Sequence, residues 1–235
     1  QGNWVPIEFE PATTSTTANT VSFEESDVTG DNLTDYSGLF DGIAIGTATS
    51  DRVVVLSIVG DYASTQNKSV TTCTIGGVAA TLAGTQQASV QTGRTVEIWY
   101  LAVSSGTTAD IDIVWNGAMS RTGIGVWALT GDSSLIGVFG DAGADLPLES
   151  GPIRVPENAV LIGIARHNNT DTFTWSEGTE NFDEVYDGNA VHSGMSKLFT
   201  AETTTNVVVT PSGAFQAPSA IFAIFGPTQG GYGVN

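Results

Sequence analysis

The sequence predicts an all-β protein, an antiparallel β-sandwich of jelly-roll or immunoglobulin-like type, with two pseudo-repeated halves and an extended N-terminal arm. Three observations carry that expectation. Short apolar or alternating runs bounded by Gly, Asp, Asn, Ser and Thr recur along the whole chain, and this is the signature of strands rather than helices. The only helix-like stretches, 32–40 and 180–186, are too short and too polar to anchor a layer. A weak internal repeat then suggests that one set of strands is used twice.

Strands are expected near 4–9, 20–24, 42–47, 52–59, 69–75, 78–83, 95–103, 109–115, 122–129, 135–139, 159–166, 172–175, 193–199, 206–210 and 217–225. The first, WVPIEF, is a short apolar strand followed by the Thr-rich, helix-averse spacer EPATTSTTANT, so residues 1–20 read as an arm. That arm either starts the first sheet or pairs with a neighbouring subunit by strand addition. Three later runs, VVVLSIV at 53–59, AVLIGIA at 159–165 and AIFAIFG at 220–226, are apolar almost without interruption. Strands of that kind are covered on both faces, whereas TVEIWYLAV at 95–103 and IDIVWNG at 111–117 read as one-sided. Between them TIGGVAATLAG at 74–84 folds two alternating runs around Gly76-Gly77 as a hairpin.

In the repeat, RVVVLSI, TCTIGG, EIWYLAV, TTADIDIV and GIGVWALTG are answered by AVLIGIA, TFTWSEG, MSKLFTA, TTTNVVVT and AIFAIFGP. The later members match at a spacing close to 96 residues, Thr107-Thr108 falling on Thr203-Thr204; the earlier ones match if the second copy has a shorter loop. The body is therefore 21–227, with pseudo-repeats at about 41–140 and 157–227, forming either one pseudo-symmetric sandwich or two tandem ones. The segment 140–156, GDAGADLPLESGPIRVP, has the Pro and Gly density of a crossing loop, and 228–235 reads as a flexible tail.

Charge narrows the partners. With 25 acidic against 7 basic residues the formal charge is −18, and a polyanion repels phosphate backbones and anionic lipid surfaces. No nucleic-acid or membrane partner is expected, and no apolar run reaches the roughly 18 residues of a membrane span. The opening QGNWVPIEFEP has neither the basic start nor the apolar stretch of a signal peptide. The single cysteine, Cys73, lies in an alternating strand pattern and reads as a small buried hydrophobe.

Reactive constellations are not visible. His167 and His192 lack a local partner, and there is no G-x-S-x-G elbow, no H-E-x-x-H and no phosphate loop. Asp27, Asp31 and Asp35, and the acidic stretch 177–187, supply hard oxygen ligands of the type calcium uses, but their spacing fits no EF-hand and a solvated acidic loop accounts for them. Trp99, Trp115, Trp127 and Trp175 fall in expected strands and read as core; Trp175 and Tyr186, set among small and acidic residues, are the best candidates for an exposed sugar-stacking platform. The expectation is no catalytic, cofactor-binding or metal residue, no cofactor, and no enzymatic activity.

The stretches VTTCTIGGVAATLAG, VEIWYLAVSSGTTADIDIVWNGAMSRTGIGVWALTG and AIFAIFGP resemble β-sandwich virion proteins of tailed phages and gene-transfer particles, of the head-decoration, head-fibre or tail-fibre type. The resemblance covers about 40–227 and consists of strand order and Gly-Gly hairpins, so it transfers no site residues. It implies a structural protein on the surface of an extracellular particle, with copies of itself, in a homotrimer for example, and other virion proteins as partners, and a host-surface glycan as a further one. Similar hairpins occur in bacterial immunoglobulin-like surface modules, and a secreted carbohydrate-binding or adhesion module is the alternative.

Overall fold

In the computed structural model, which describes residues 18–62, 65–89, 93–142, 147–186, 188, 190–213 and 217–227, every regular element is a strand. The first half supplies β1 (Thr20–Thr29), β2 (Leu33–Asp35), β3 (Phe40–Ala44), β4 (Val53–Asp61), β5 (Val70–Ile75), β6 (Val78–Ala79), β7 (Thr81–Gln87), β8 (Thr95–Ala102), β9 (Thr108–Met119) and β10 (Arg121–Thr130). The second supplies β11 (Ser134–Asp141), β12 (Leu148–Val155), β13 (Val160–His167), β14 (Phe173–Trp175), β15 (Thr179–Tyr186), β16 (Ala190–Leu198), β17 (Thr203–Pro211) and β18 (Ser219–Gly226). The expected strand at 4–9 and the tail at 228–235 lie outside the described residues.

Pairing is antiparallel and nested. β1 pairs with β10, β2 and β3 with β9, β4 with β8, and β5 with β6. The second half repeats the scheme, β11 with β18, β12 with β17 and β13 with β16. First-with-last nesting is the winding of a jelly-roll sandwich. Two inner sheets result, β1-β10-β4-β8-β7 and β11-β18-β13-β16-β15, and two outer ones, β2-β9-β5-β6 with β3 alongside and β12-β17-β14.

Three separate cores show that these sheets stack as four layers. Phe40, Ile111 and Trp115 of the first outer sheet meet Leu56 and Ile58 of β4. Val55, Val59 and Trp127 meet Ile162, Ile164 and Phe225 in a central core between the inner sheets. Leu161, Ala165 and Phe222 meet Ile153, Phe173 and Val209 in the third. Alternate residues of one strand point to opposite faces, so Val55 and Leu56 enter different cores. The uninterrupted apolar runs at β4, β13 and β18 are explained by that, since each is buried along almost its whole length.

Strands matched by the sequence repeat occupy equivalent places in the two halves. At the spacing of 96, Ile111 and Ile113 correspond to Val207 and Val209, all buried toward outer cores. A β-bulge recurs as well: β7 slips between Leu82 and Gly84 opposite Trp99 and Ile98, and β15 between Glu180 and Phe182 opposite Met195 and Gly194.

Three expectations need correction. β8 is not one-sided: residues from Thr95 to Trp99 are buried, because an inner sheet is covered twice and Glu97 is satisfied internally. The segment 140–156 is not only a crossing loop, since Leu148–Val155 forms β12 on β17; its Pro and Gly lie beside the register shift between Glu149 and Pro152, a place an edge strand tolerates. The helix-like stretch 180–186 is β15, whose pattern is broken by its bulge.

Candidate functional site

β4 carries one acid, Asp61, at its end, and three arginines converge on it. Arg94 Nε lies 2.7 Å from Oδ1, Arg121 Nε 3.2 Å from Oδ2, and Arg166 Nη2 3.7 Å from Oδ1. Asp61 and Arg94 are buried, Arg121 nearly so, and Arg166, from β13 of the other half, is fully enclosed. Arg166 also donates through Nη1 to the Ala217 carbonyl (3.2 Å), and Arg121 through Nη1 to that of Tyr186 (3.3 Å). A buried carboxylate holding guanidinium groups from both halves is a clasp at one end of the central seam. The sequence reading missed it, although a signal exists: two strands buried on both faces, VVVLSIVGD and VLIGIARH, each end in charge.

The histidines face opposite sides of their sheet. His167 packs edge-on against Phe173 (4.8 Å between centroids) with Nε2 3.0 Å from the Asp171 carbonyl oxygen, and burial lowers its pKa. His192 lies on the central seam, 4.9 Å from the Phe182 ring and 5.4 Å from that of Tyr186. Gly123 approaches so closely that a Cβ there would sit 2.9 Å from the imidazole. Burial lowers the His192 pKa, and the neutral ring donates through Nε2 to Glu184 Oε2 (3.2 Å), which in turn lowers the carboxyl's pKa. His192 itself is walled in by rings and backbone, whereas Glu184 keeps 34% of its side chain accessible.

Among the acids, Asp27 and Glu184 are brought near one another across β1 and β15; the Asp27 pKa is raised by burial first and by Glu184 and Glu25 in addition. Asp31 and Asp35 turn to local partners, Asp31 accepting from Thr29 Oγ1 (3.2 Å) and Asp35 from Ser37 N and Oγ (2.9 and 2.6 Å). Among the described residues no three His, Cys, Asp or Glu side chains are placed to share a metal ion. Of the two residues expected in a sugar platform, Tyr186 is overturned, being wholly buried against His192, and Trp175 is half-buried. Trp175 donates Nε1–H to Ser193 Oγ (2.8 Å) and packs edge-on against Phe222. Small and acidic neighbours in sequence do not expose an aromatic when the strand turns it toward a second sheet.

Glu97 and Cys73 share the first outer core's surroundings. Burial pushes the thiol up to about 12, so Cys73 is a packed thiol rather than a thiolate. Glu97 accepts from Val70 N (3.1 Å) and Trp99 Nε1 (2.8 Å), yet burial raises its pKa to about 7. Unfolded, the group releases its proton near 4.5. Between those values the folded chain holds more protons, so this group's contribution to stability falls as pH rises through the window, by about 3 kcal/mol in all. Urea unfolding of the native protein and Glu97→Gln at several pH values will show their stability difference moving against the native protein from pH 4.5 to 8; a flat difference would mean the charge is compensated.

The excess of 25 acidic over 7 basic residues makes the exterior anionic, and the inward folding of most cations adds to it. Arg52, Lys68, Arg94 and Arg166 are buried; only Arg154 and Lys197 keep three-tenths or more of the side chain accessible, and each is paired with a glutamate, Glu202 and Glu177. Both outer sheets turn polar faces outward, Thr72, Asp110 and Asn116 on one and Thr204, Asn206 and Thr210 on the other. One concavity of about 540 Å³ opens where β1 lies over β15 and β16, lined by Val21, Phe23, Thr179, Asn181, Lys197 and Leu198 among others.

Fold and surfaces together define a double β-sandwich with a charged clasp inside and an acidic, threonine-lined exterior. No family model, no curated protein and no solved structure matches the chain.

Proposed function

We propose that this chain is a non-enzymatic structural protein on the outside of a phage-like particle, a capsid-decoration or fibre component, assembling through contacts with copies of itself and with other virion proteins. The observation that carries the reading is the anionic exterior of a four-layer body whose arginines are, but for Arg154, drawn inside it. Such a surface keeps a protein soluble at high copy number and discourages indiscriminate association. The same body leaves little flat edge for sheet-to-sheet pairing, since the outermost strands of both inner sheets carry register shifts: β1, β7, β11 and β15. Specific association then falls to the N-terminal arm, whose apolar strand can complete a neighbour's edge without any cofactor.

A secreted carbohydrate-binding module is the reading of another class. Its support is reduced by the inward packing of Trp175 and Tyr186. The two readings separate in one experiment. Removal of residues 1–18 is expected to abolish assembly and docking on the particle while leaving the thermal transition of the body within a few degrees. A truncated protein that assembles and docks as well as the intact one would overturn the arm's role. Tight glycan binding by the isolated protein, lost in Trp175→Ala, would favour the module.

A further inference from the structure

We propose that the concavity between β1 and β15–β16 is the socket for the WVPIEF segment, residues 4–9, of a second copy of the chain. This rests on the strand-lending reading above and names the place where the strand is received.

The socket exists because the two halves differ at one equivalent position. Thr81 pairs with Tyr100 in the first half and Thr179 with Ser196 in the second, so Ser196 stands where the other half has Tyr100. Tyr100 fills its side of the seam, packing edge-on against Phe225 at 5.6 Å. On the opposite side the serine leaves about 540 Å³ open.

Val21, Phe23 and Leu198 form an apolar patch that packs against the central core yet stays partly uncovered, flanked by the polar Thr179, Asn181, Ser196 and Lys197. The walls are the outermost strands of two stacked sheets, each offering unpaired backbone groups on its outer side. The shifts at Phe23/Glu25 and Glu180/Phe182 interrupt both edges and so restrict an added strand to a short one.

Segment 4–9 has the matching properties. Six residues span about 20 Å as a strand. Val5, Ile7 and Phe9 share one face of such a strand and provide apolar groups for the floor, Trp4 falls on the other face with Glu8 and Glu10, and Pro6, which lacks an N–H, is tolerated on an edge. Glu8 and Glu10 would meet Lys197, one of the two accessible cations and itself bridged to Glu177.

The described chain begins at Ala18, close to this socket, since β1 begins at Thr20 and Val21 already lines it. The spacer EPATTSTT is rich in β-branched threonine, which favours extended backbone, and eight extended residues would carry the segment about 26 Å from Ala18, away from its own molecule's socket. A second copy is therefore the donor.

The test uses the full chain with p-benzoylphenylalanine in place of Phe9, mixed in light and heavy isotope forms, irradiated, and mapped by mass spectrometry. Cross-links between differently labelled copies are expected at Val21, Phe23 and residues 196–198. In parallel, Ser196→Tyr, which copies the first half, is expected to weaken self-association about tenfold in sedimentation equilibrium. Inter-copy links to other surfaces would overturn the socket and leave strand lending intact. Links to the socket within one chain would overturn donation by a second copy. An absence of inter-copy links, with association unchanged when residues 1–18 are removed, would overturn strand lending itself.

Discussion

Asp61→Ala will lower the unfolding free energy by about 3–5 kcal/mol, because it leaves buried guanidinium groups without the anion they share. Arg94, Arg121 and Arg166 reach that carboxylate from the approach to β8, from β10 and from β13 respectively, at 2.7 to 3.7 Å. The cost comes from stranding the cations rather than from losing one favourable contact. Arg166 is the sharpest case, being fully enclosed with no hydrogen-bond partner at Nε among the described residues. The loss on Asp61→Ala should therefore shrink by 1 kcal/mol or more, on the order of a typical coupling between contacting residues, when Arg166→Met is already present. Chemical denaturation of the two single variants and the double variant checks both statements. A loss below about 1 kcal/mol for Asp61→Ala would mean that water reaches the clasp and the charges are screened.

Phe182→Ala is the second change of that size, also about 3–5 kcal/mol. The ring sits just after the β15 bulge and inserts from the second half into the first. It stacks on Phe23 at 5.4 Å, tilts against Trp127 at 5.9 Å and touches His192 at 4.9 Å. Gly125, Gly194 and Ser57 make room for it, and a Cβ at 125 would lie 2.6 Å from the ring. Gly125→Ala alone should cost about 1–3 kcal/mol by overpacking. In the Phe182→Ala background most of that cost should vanish, since the ring is no longer there to be displaced. Strictly additive losses in thermal or urea unfolding would show that knob and hole are not in contact in solution.

These two contacts explain why the halves are not interchangeable despite their shared winding. Gly84 occupies in β7 the place that Phe182 holds in β15, as the pairings with Ile98 and Gly194 show. There the relation is inverted: a Cβ at 84 would lie 2.6 Å from Val138 and 3.3 Å from Ile221, so the first half provides the hollow on both sides of the seam. The Ser196 and Tyr100 difference belongs to the same asymmetry, and it opens the groove on one side only.

The sequence by itself determined the all-β class, the twofold use of one strand set and the acidic balance of the chain, but not strands β2, β12 and β15. The class and the repeat are written in local pattern: period-two alternation in β9, unbroken apolar runs in β4, β13 and β18, and a spacing of 96 that aligns Ile111 with Val207. Only the tertiary structure decided which polar and aromatic side chains lie between layers. Asp61 and Arg166 are far apart in the chain, Tyr186 has small and acidic neighbours, and Glu97 sits in a strand that reads as one-sided. Their burial follows from a second sheet closing over the first, and a single strand's alternation records which residues share a face but not what covers that face.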